Sequence, residues 1–326
     1  MRMSRRDFMI SLSATGAALS VAACSSSGGG GGSTVRFGYI ADYNGASLLA
    51  IAEERGLWKK HGLTAEPKVF VNGPVQIQAL RTGNLDYGYI GPGALWLPAS
   101  GKATIVAIDT LTYADRVIAR PGISSIQDLR GKKVGVPEGT SGEMALNLAL
   151  QKAGMTMKDI SKVVMDAPTV VSAFSSGQID GAGIWYPLID TIKEKVPGMK
   201  EVASTEDLPG SSFPTAFVSA AKAKPERDQK VVKVLQEAND WRAAHAKESI
   251  ALAAKLLKAD EAKVAADAKH VKTMTTAELV ARTKDGTVEK WLDGMSQFFV
   301  RTGQLPKAPD PSSFYAGDLY TKAAAR

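Results

Sequence analysis

Four short stretches hold the residues best suited to chemistry: Asp42-Tyr43-Asn44-Gly45, Gly91-Pro92-Gly93, Gly139-Thr140-Ser141-Gly142 and Trp185-Tyr186-Pro187. The third opens a helical pattern, so backbone N–H groups and two hydroxyls converge where the helix dipole is positive, which suits an anion. Tyr43-Asn44-Gly45 does the same at an earlier helix start. Either loop alone reads first as an ordinary N-cap; two related loops facing one cleft read equally well as a binding site. Trp185 and Tyr186 would cover the non-polar part of a small ligand, with Pro187 stiffening that wall. Asp115 suits an amine or, equally, a hinge salt bridge to a neighbouring basic residue. Catalysis finds no support. His61, His245 and His270 lie in helical or helix-end stretches, and no HExxH, GxSxG or P-loop occurs. No enzyme activity, cofactor or metal is expected.

What positions these loops is a repeat. RTGNLDYGYIGPG (81–93) returns as SSGQIDGAGIWYP (175–187), and Gly38, Gly45 and Gly83 match Gly135, Gly142 and Gly177 at offsets of 97, 97 and 94. Each unit, 35–93 and 132–187, alternates short apolar strands with helices, which predicts an α/β fold with a mostly parallel sheet flanked by helices in each of two lobes. Strands are expected at Val35–Tyr39, Val69–Val71 and Tyr87–Ile90, then at Val134–Val136, Lys162–Met165 and Gly181–Ile184. Asp86 and Asp180 read as caps of the turn entering a strand. Thr104–Ala119 and Phe213–Val218 would cross between the lobes, giving a first lobe of 34–115 plus 218–326 and a second of 116–217. After Val218 the pattern is helical and no further strand is expected. Two crossings make a hinge. In such sheets ligands sit outside the strand carboxyl ends, which selects the four loops above.

The N-terminus bears on location. Arg5-Arg6 precede the apolar stretch Ile10–Ala23, which ends at Cys24, the single cysteine. That order makes an export signal over 1–24 and resembles a twin-arginine signal. Val21-Ala22-Ala23-Cys24 resembles a bacterial lipobox, which implies a lipid on Cys24. One cysteine also excludes disulfides, CxxC zinc sites and thiol catalysis. Residues 25–33, all serine and glycine, form a flexible tether. The body would then sit on the outer face of a cytoplasmic membrane. The net charge of +7 is spread without a basic block, so no nucleic-acid partner is expected. A monomer is expected.

The export signal, GNLDYGYIG, IDGAGIWYP and QFFVRTGQLP together resemble a substrate-binding protein of an ABC importer, of the group serving taurine, aliphatic sulfonates, nitrate and thiamine precursors. The order ending in Phe298–Pro306 and then Tyr315 is most similar to the taurine/sulfonate branch. The resemblance implies a two-lobed type II periplasmic-binding-protein fold and delivery of a captured solute to a permease and its ATPase. It matches Gly91-Pro92-Gly93-Ala94 to the family's small-residue loop, Thr140-Ser141 to its hydroxyl-rich helix start, and Trp185-Tyr186-Pro187 to its Trp-x-Pro. Taurine binders carry acids for the amine near both crossovers. Asp115 stands at one, whereas Thr215-Ala216-Phe217-Val218 at the other is apolar and fits a less amino-like sulfonate or another solute with an apolar body. The expected ligand is a small anionic organic solute, an aliphatic sulfonate or taurine-like. The alternatives are nitrate, bicarbonate, a thiamine pyrimidine or riboflavin, or a role as the ligand-presenting component of a sensor. An enzyme relative that makes a pyrimidine relies on a cysteine-rich segment with no counterpart here.

Overall fold

Alternating inward residues Val35, Phe37 and Tyr39 make β1 (Ser33–Ile40) the spine of a first sheet. The computed structural model describes residues 33–208, 211–221 and 225–325, so the signal, Cys24 and nearly all of the tether lie outside the described residues. After β1 come α1 (Tyr43–Glu54), α2 (Leu57–Lys60), β2 (Leu63–Phe70), α3 (Gly73–Arg81), β3 (Tyr87–Ile90), a 3-10 turn at Pro92–Ala94, α4 (Trp96–Ala99) and β4 (Thr104–Thr112). Tyr113 and Ala114 carry the chain into β5 (Asp115–Ala119). There follow β6 (Lys133–Val136), α5 (Ser141–Lys152), β7 (Ser161–Val164), α6 (Ala167–Ser175), β8 (Gly181–Trp185), α7 (Leu188–Lys195) and β9 (Lys200–Ser204). The chain returns through β10 (Pro214–Ser219). It closes with α8 (Pro225–Ala244), α9 (Ala246–Leu257), α10 (Glu261–Ala268), β11 (Val271–Thr273), α11 (Thr276–Lys284), α12 (Thr287–Arg301) and α13 (Gly317–Ala324).

The first sheet runs β11-β4-β10-β3-β1-β2 and the second β7-β6-β8-β5-β9. The two share one plan, 2-1-3 followed by a strand that has just crossed over. Parallel pairing is confined to β2-β1-β3 and β7-β6-β8. The crossing strands β4, β5 and β10 pair antiparallel, because the chain enters and leaves each lobe in opposite directions. One large apolar core fills the first lobe. In the second, alternate residues of β5 feed separate cores on the two faces of the sheet, Ile118 into one and Val117 into the other.

Two strands escape the sequence pattern, and one is longer than expected. β2 starts at Leu63, not Val69, because it is a solvated edge whose Glu66, Pro67 and Lys68 break any alternation while discouraging further pairing. β9 and the three-residue β11 were not expected; both are short, half-exposed edges.

The repeated aspartates do more than cap a turn. Asp86 Oδ2 accepts the Arg36 N–H at 3.0 Å while Arg36 O accepts the Asp86 N–H at 3.0 Å. Asp180 and Lys133 repeat this exchange at 2.9 and 2.8 Å. In each lobe the motif thus clasps the start of the central strand. Desolvation alone would raise the Asp86 carboxyl, but hydrogen bonds from Arg36 and the Arg227 charge hold it at about 2.

Candidate functional site

β1, β3, β4 and β8 end at one cavity of about 40 Å³ between the lobes, delivering Ile40, Gly91, Thr112 and Trp185 to its walls. The starts of α1, α3 and α5 complete it. The lobes touch around it. A Cβ on Gly93 would lie 2.2 Å from the Ser141 backbone nitrogen, so only a bare backbone fits there. Trp96 Nε1–H donates to Gly139 O at 3.4 Å. On another side the Tyr186 ring stacks on His270 at 4.3 Å, and His270 Nδ1 lies 3.1 Å from Glu206 Oε1.

Of the twelve residues singled out as ligand contacts, Asn44, Gly91, Pro92, Asp115, Thr140, Ser141, Trp185 and Tyr186 line this cavity. The other four lie behind its wall. Tyr43 turns its hydroxyl to Ser249 at 2.8 Å. Gly93 is the inter-lobe contact just described, and Gly142 packs its backbone on the Gly183 carbonyl. Pro187, after a cis peptide bond, leads into α7.

The helix starts are not open to an anion in the way their residue types suggest. At α5 the Thr140 hydroxyl donates to Pro137 O at 2.6 Å, and the buried Glu143 carboxylate accepts from Gly139 N–H at 2.7 Å and pairs with Lys162. At α1 the Tyr43 N–H goes to Asp267 Oδ2 at 2.7 Å and the Gly45 N–H to Asp42 Oδ1 at 2.7 Å. The protein's own carboxyl groups stand where a ligand anion was expected.

Among the described residues three acidic side chains, Asp42, Asp115 and Asp267, line the cavity, and no lysine, arginine or histidine does. Nearby guanidiniums are engaged elsewhere: Arg242 with Asp109 at 2.7 Å, and Arg116 with Glu201 and Glu206 at 2.8 and 2.9 Å. That removes the hinge salt bridge as the role of Asp115. Its side chain is 1% exposed, and its Oδ1 meets no hydrogen-bonding group among the described residues. Burial pushes Asp115 up to about 6, against the Ser141 hydroxyl and the Arg116 charge. Desolvation, with the neighbouring Asp267 charge, also raises Asp42, and desolvation raises Asp267. A cavity with these walls favours a group that brings positive charge or N–H donors.

The acids that the apolar second crossover lacks therefore come from elsewhere. Asp42 is legible as an N-cap. Asp267 ends an alanine-rich surface helix and carries no signal of its own; only the packing of α10 against α1 brings it in.

The profile of the NMT1-like family matches residues 29–258. A Brucella abortus (strain 2308) protein, named only as a binding protein, is 52% identical over 98% of this chain and 99% of its own length. The taurine-binding periplasmic protein of Escherichia coli (strain K12) is 27% identical over 42% of this chain and 43% of its own. Among solved structures, the alkanesulfonate-binding protein SsuA of Xanthomonas axonopodis pv. citri, bound to MOPS, superposes with a TM-score of 0.69 at 21% identity. It covers 87% of this chain and 98% of that one.

Proposed function

This chain belongs to the NMT1-like family, and from that premise we propose that it is the solute-binding component of an ABC importer. It is exported, held to the outer face of the membrane by a lipid on Cys24, and delivers its solute as a monomer to a permease and its ATPase. The order of signal, lipobox-like Cys24 and Gly/Ser tether supports the anchoring. Among the described residues no helix is long and apolar enough to cross a membrane. Solute binding draws the lobes together, shifting the population to a closed form whose contacts include Gly93 on Ser141.

The solute of this reading is a small taurine-like zwitterion, with an amine at one end and a sulfonate or similar acidic head at the other. One observation carries it: three carboxyl groups and no basic side chain line the cavity. An ammonium group would satisfy Asp115 Oδ1, which has no partner among the described residues. Nitrate and bicarbonate bring negative charge and no amine. The taurine-binding relative supports the class of solute.

Calorimetric titration with taurine, isethionate (hydroxyl for amine) and ethanesulfonate tests it. Taurine is expected to bind tightest, because leaving a buried polar group unpaired costs roughly 1–3 kcal/mol, about 5- to 150-fold, and a charged one more. Ethanesulfonate binding as tightly as taurine would overturn the amine end and leave the anion reading. No binding of any sulfonate would overturn the taurine-like assignment and leave the transport role to other solutes.

A further inference from the structure

Asn44 is 5% exposed at the start of α1 and reaches the cavity. A side-chain amide can offer either its oxygen or its N–H groups, and which it offers follows from its hydrogen-bond partners. The Asn44 Oδ1 accepts from the Thr110 hydroxyl at 3.2 Å. Thr110 in turn lies 2.9 Å from the Thr215 hydroxyl, which also accepts the Thr110 N–H at 3.2 Å. Each hydroxyl has one proton to give. Thr110 gives its proton to Asn44, so Thr215 must give its own to Thr110.

The partners that compete for the Thr215 proton are Asp109 Oδ2 and the Tyr89 hydroxyl; Tyr89 carries a proton of its own and can donate it to Thr215, which leaves Asp109 as the group able to reverse the chain. If Asp109 took it, the chain would reverse: Thr110 would donate to Thr215, Asn44 would donate to Thr110, and the Asn44 oxygen would face the cavity. The distances oppose this, since Asp109 Oδ2 lies 3.5 Å from Thr215. Asp109 is held away by its other oxygen, 2.7 Å from Arg242 Nη2 in an ion pair with no exposed surface.

We propose that Asn44 presents its amide N–H groups to the solute and so selects an oxygen acceptor, with Thr110 and Thr215 as positioning residues and the Arg242–Asp109 pair setting the order of the chain. The inference rests on the reading of this cavity as the solute site. It adds the class of group met by the first lobe, an oxygen acceptor such as a carbonyl or one oxygen of the acidic head; Asp42 and Asp267 stand beside it, and burial biases both carboxyls towards the neutral form.

Neutron diffraction from deuterated crystals of the intact unliganded protein tests the orientation without any ligand. Deuterium on the cavity side of Asn44 is the expected result, and the amide oxygen on that side would overturn the proposal. Taurine titration of two variants tests the positioning role. Thr110→Val should lose at least about tenfold in affinity, whereas Thr110→Ser, which keeps the hydroxyl, should stay within about threefold of the parent. A folded Thr110→Val protein that binds taurine as the parent does would overturn the role of the chain. If the parent shows no heat with taurine, or Thr110→Val does not fold, the neutron map still decides the Asn44 orientation. The first of these results counts against the taurine-like assignment only.

Discussion

Gly93 and Ser141 meet between the lobes, behind the cavity wall, with no room for a side chain: a Cβ on Gly93 would sit 2.2 Å from the Ser141 backbone nitrogen and 2.3 Å from the Thr140 carbonyl oxygen. The two residues belong to opposite lobes, so the contact exists only while the lobes are together. Gly93→Ala should act as a prop. Its backbone angles suit alanine, so unfolding stability should change by less than about 1 kcal/mol. Solute affinity should fall by about tenfold or more, and small-angle scattering of the saturated protein should show a larger radius of gyration. Affinity equal to the parent's would remove this contact from the closed state.

Binding of an amine should depend on pH through Asp115. The ammonium group needs the carboxylate, and burial places that group at about 6. Affinity should therefore rise from pH 5 to 7, with Asp267, raised to about 7 by burial, extending the rise, and Asp115→Asn should both weaken binding and reduce the slope between pH 5 and 7. Calorimetry at four pH values checks this; an unaltered slope in the variant rules it out.

The same carboxyl affects the empty protein in the opposite sense. Its folded value lies above the ordinary unfolded value near 4, so its contribution is complete below that and is lost as pH rises through about 6. Asp42 and Asp267 are raised in the same direction. The unliganded protein should melt a few degrees higher at pH 5 than at pH 8, and saturating amine should narrow or reverse the difference. Scanning calorimetry with and without solute measures both. Asp115→Asn should remove part of the dependence.

The paired clasps should differ in strength. Asp86 and Asp180 make the same backbone exchange, but only Asp86 also meets two guanidinium groups, Arg36 and Arg227. Asp86→Ala should cost about 2–3 kcal/mol in urea unfolding and Asp180→Ala about 1–2. The carboxylate at Asp86 contributes above pH 4, and that contribution fades as pH falls towards 2. Equal costs would show that the guanidiniums add nothing.

Much of this was readable from residues alone, for identifiable reasons. The interior strands β3, β6 and β8 are short apolar runs at matched places in the repeat, so their ends and the loops beyond them could be located. β2 and β11 were not readable as they stand, because edge strands in water need no alternation. The cavity divides in the same way. Trp185, Asp115 and Thr140 follow from their positions at strand and helix ends, whereas the use of the Thr140 hydroxyl does not. A hydroxyl beside a helix start can cap it, meet a ligand or donate backwards, and only the loop geometry selected Pro137. Asp267 depends on how α10 lies against α1, a matter of packing over more than 220 residues.

The strand order also sets a timetable for synthesis. β10 lies between β3 and β4 in the first sheet, yet it leaves the ribosome after every strand of the second sheet. Until Ser219 has emerged, β3 and β4 each carry a bare edge, open to pairing with another nascent chain. All five strands of the second sheet, by contrast, lie between Asp115 and Ser204. The later-made half can therefore mature while the earlier half waits, and a chaperone protecting the nascent chain would have its work at the exposed flanks of β3 and β4. The lobe translated first is the lobe finished last.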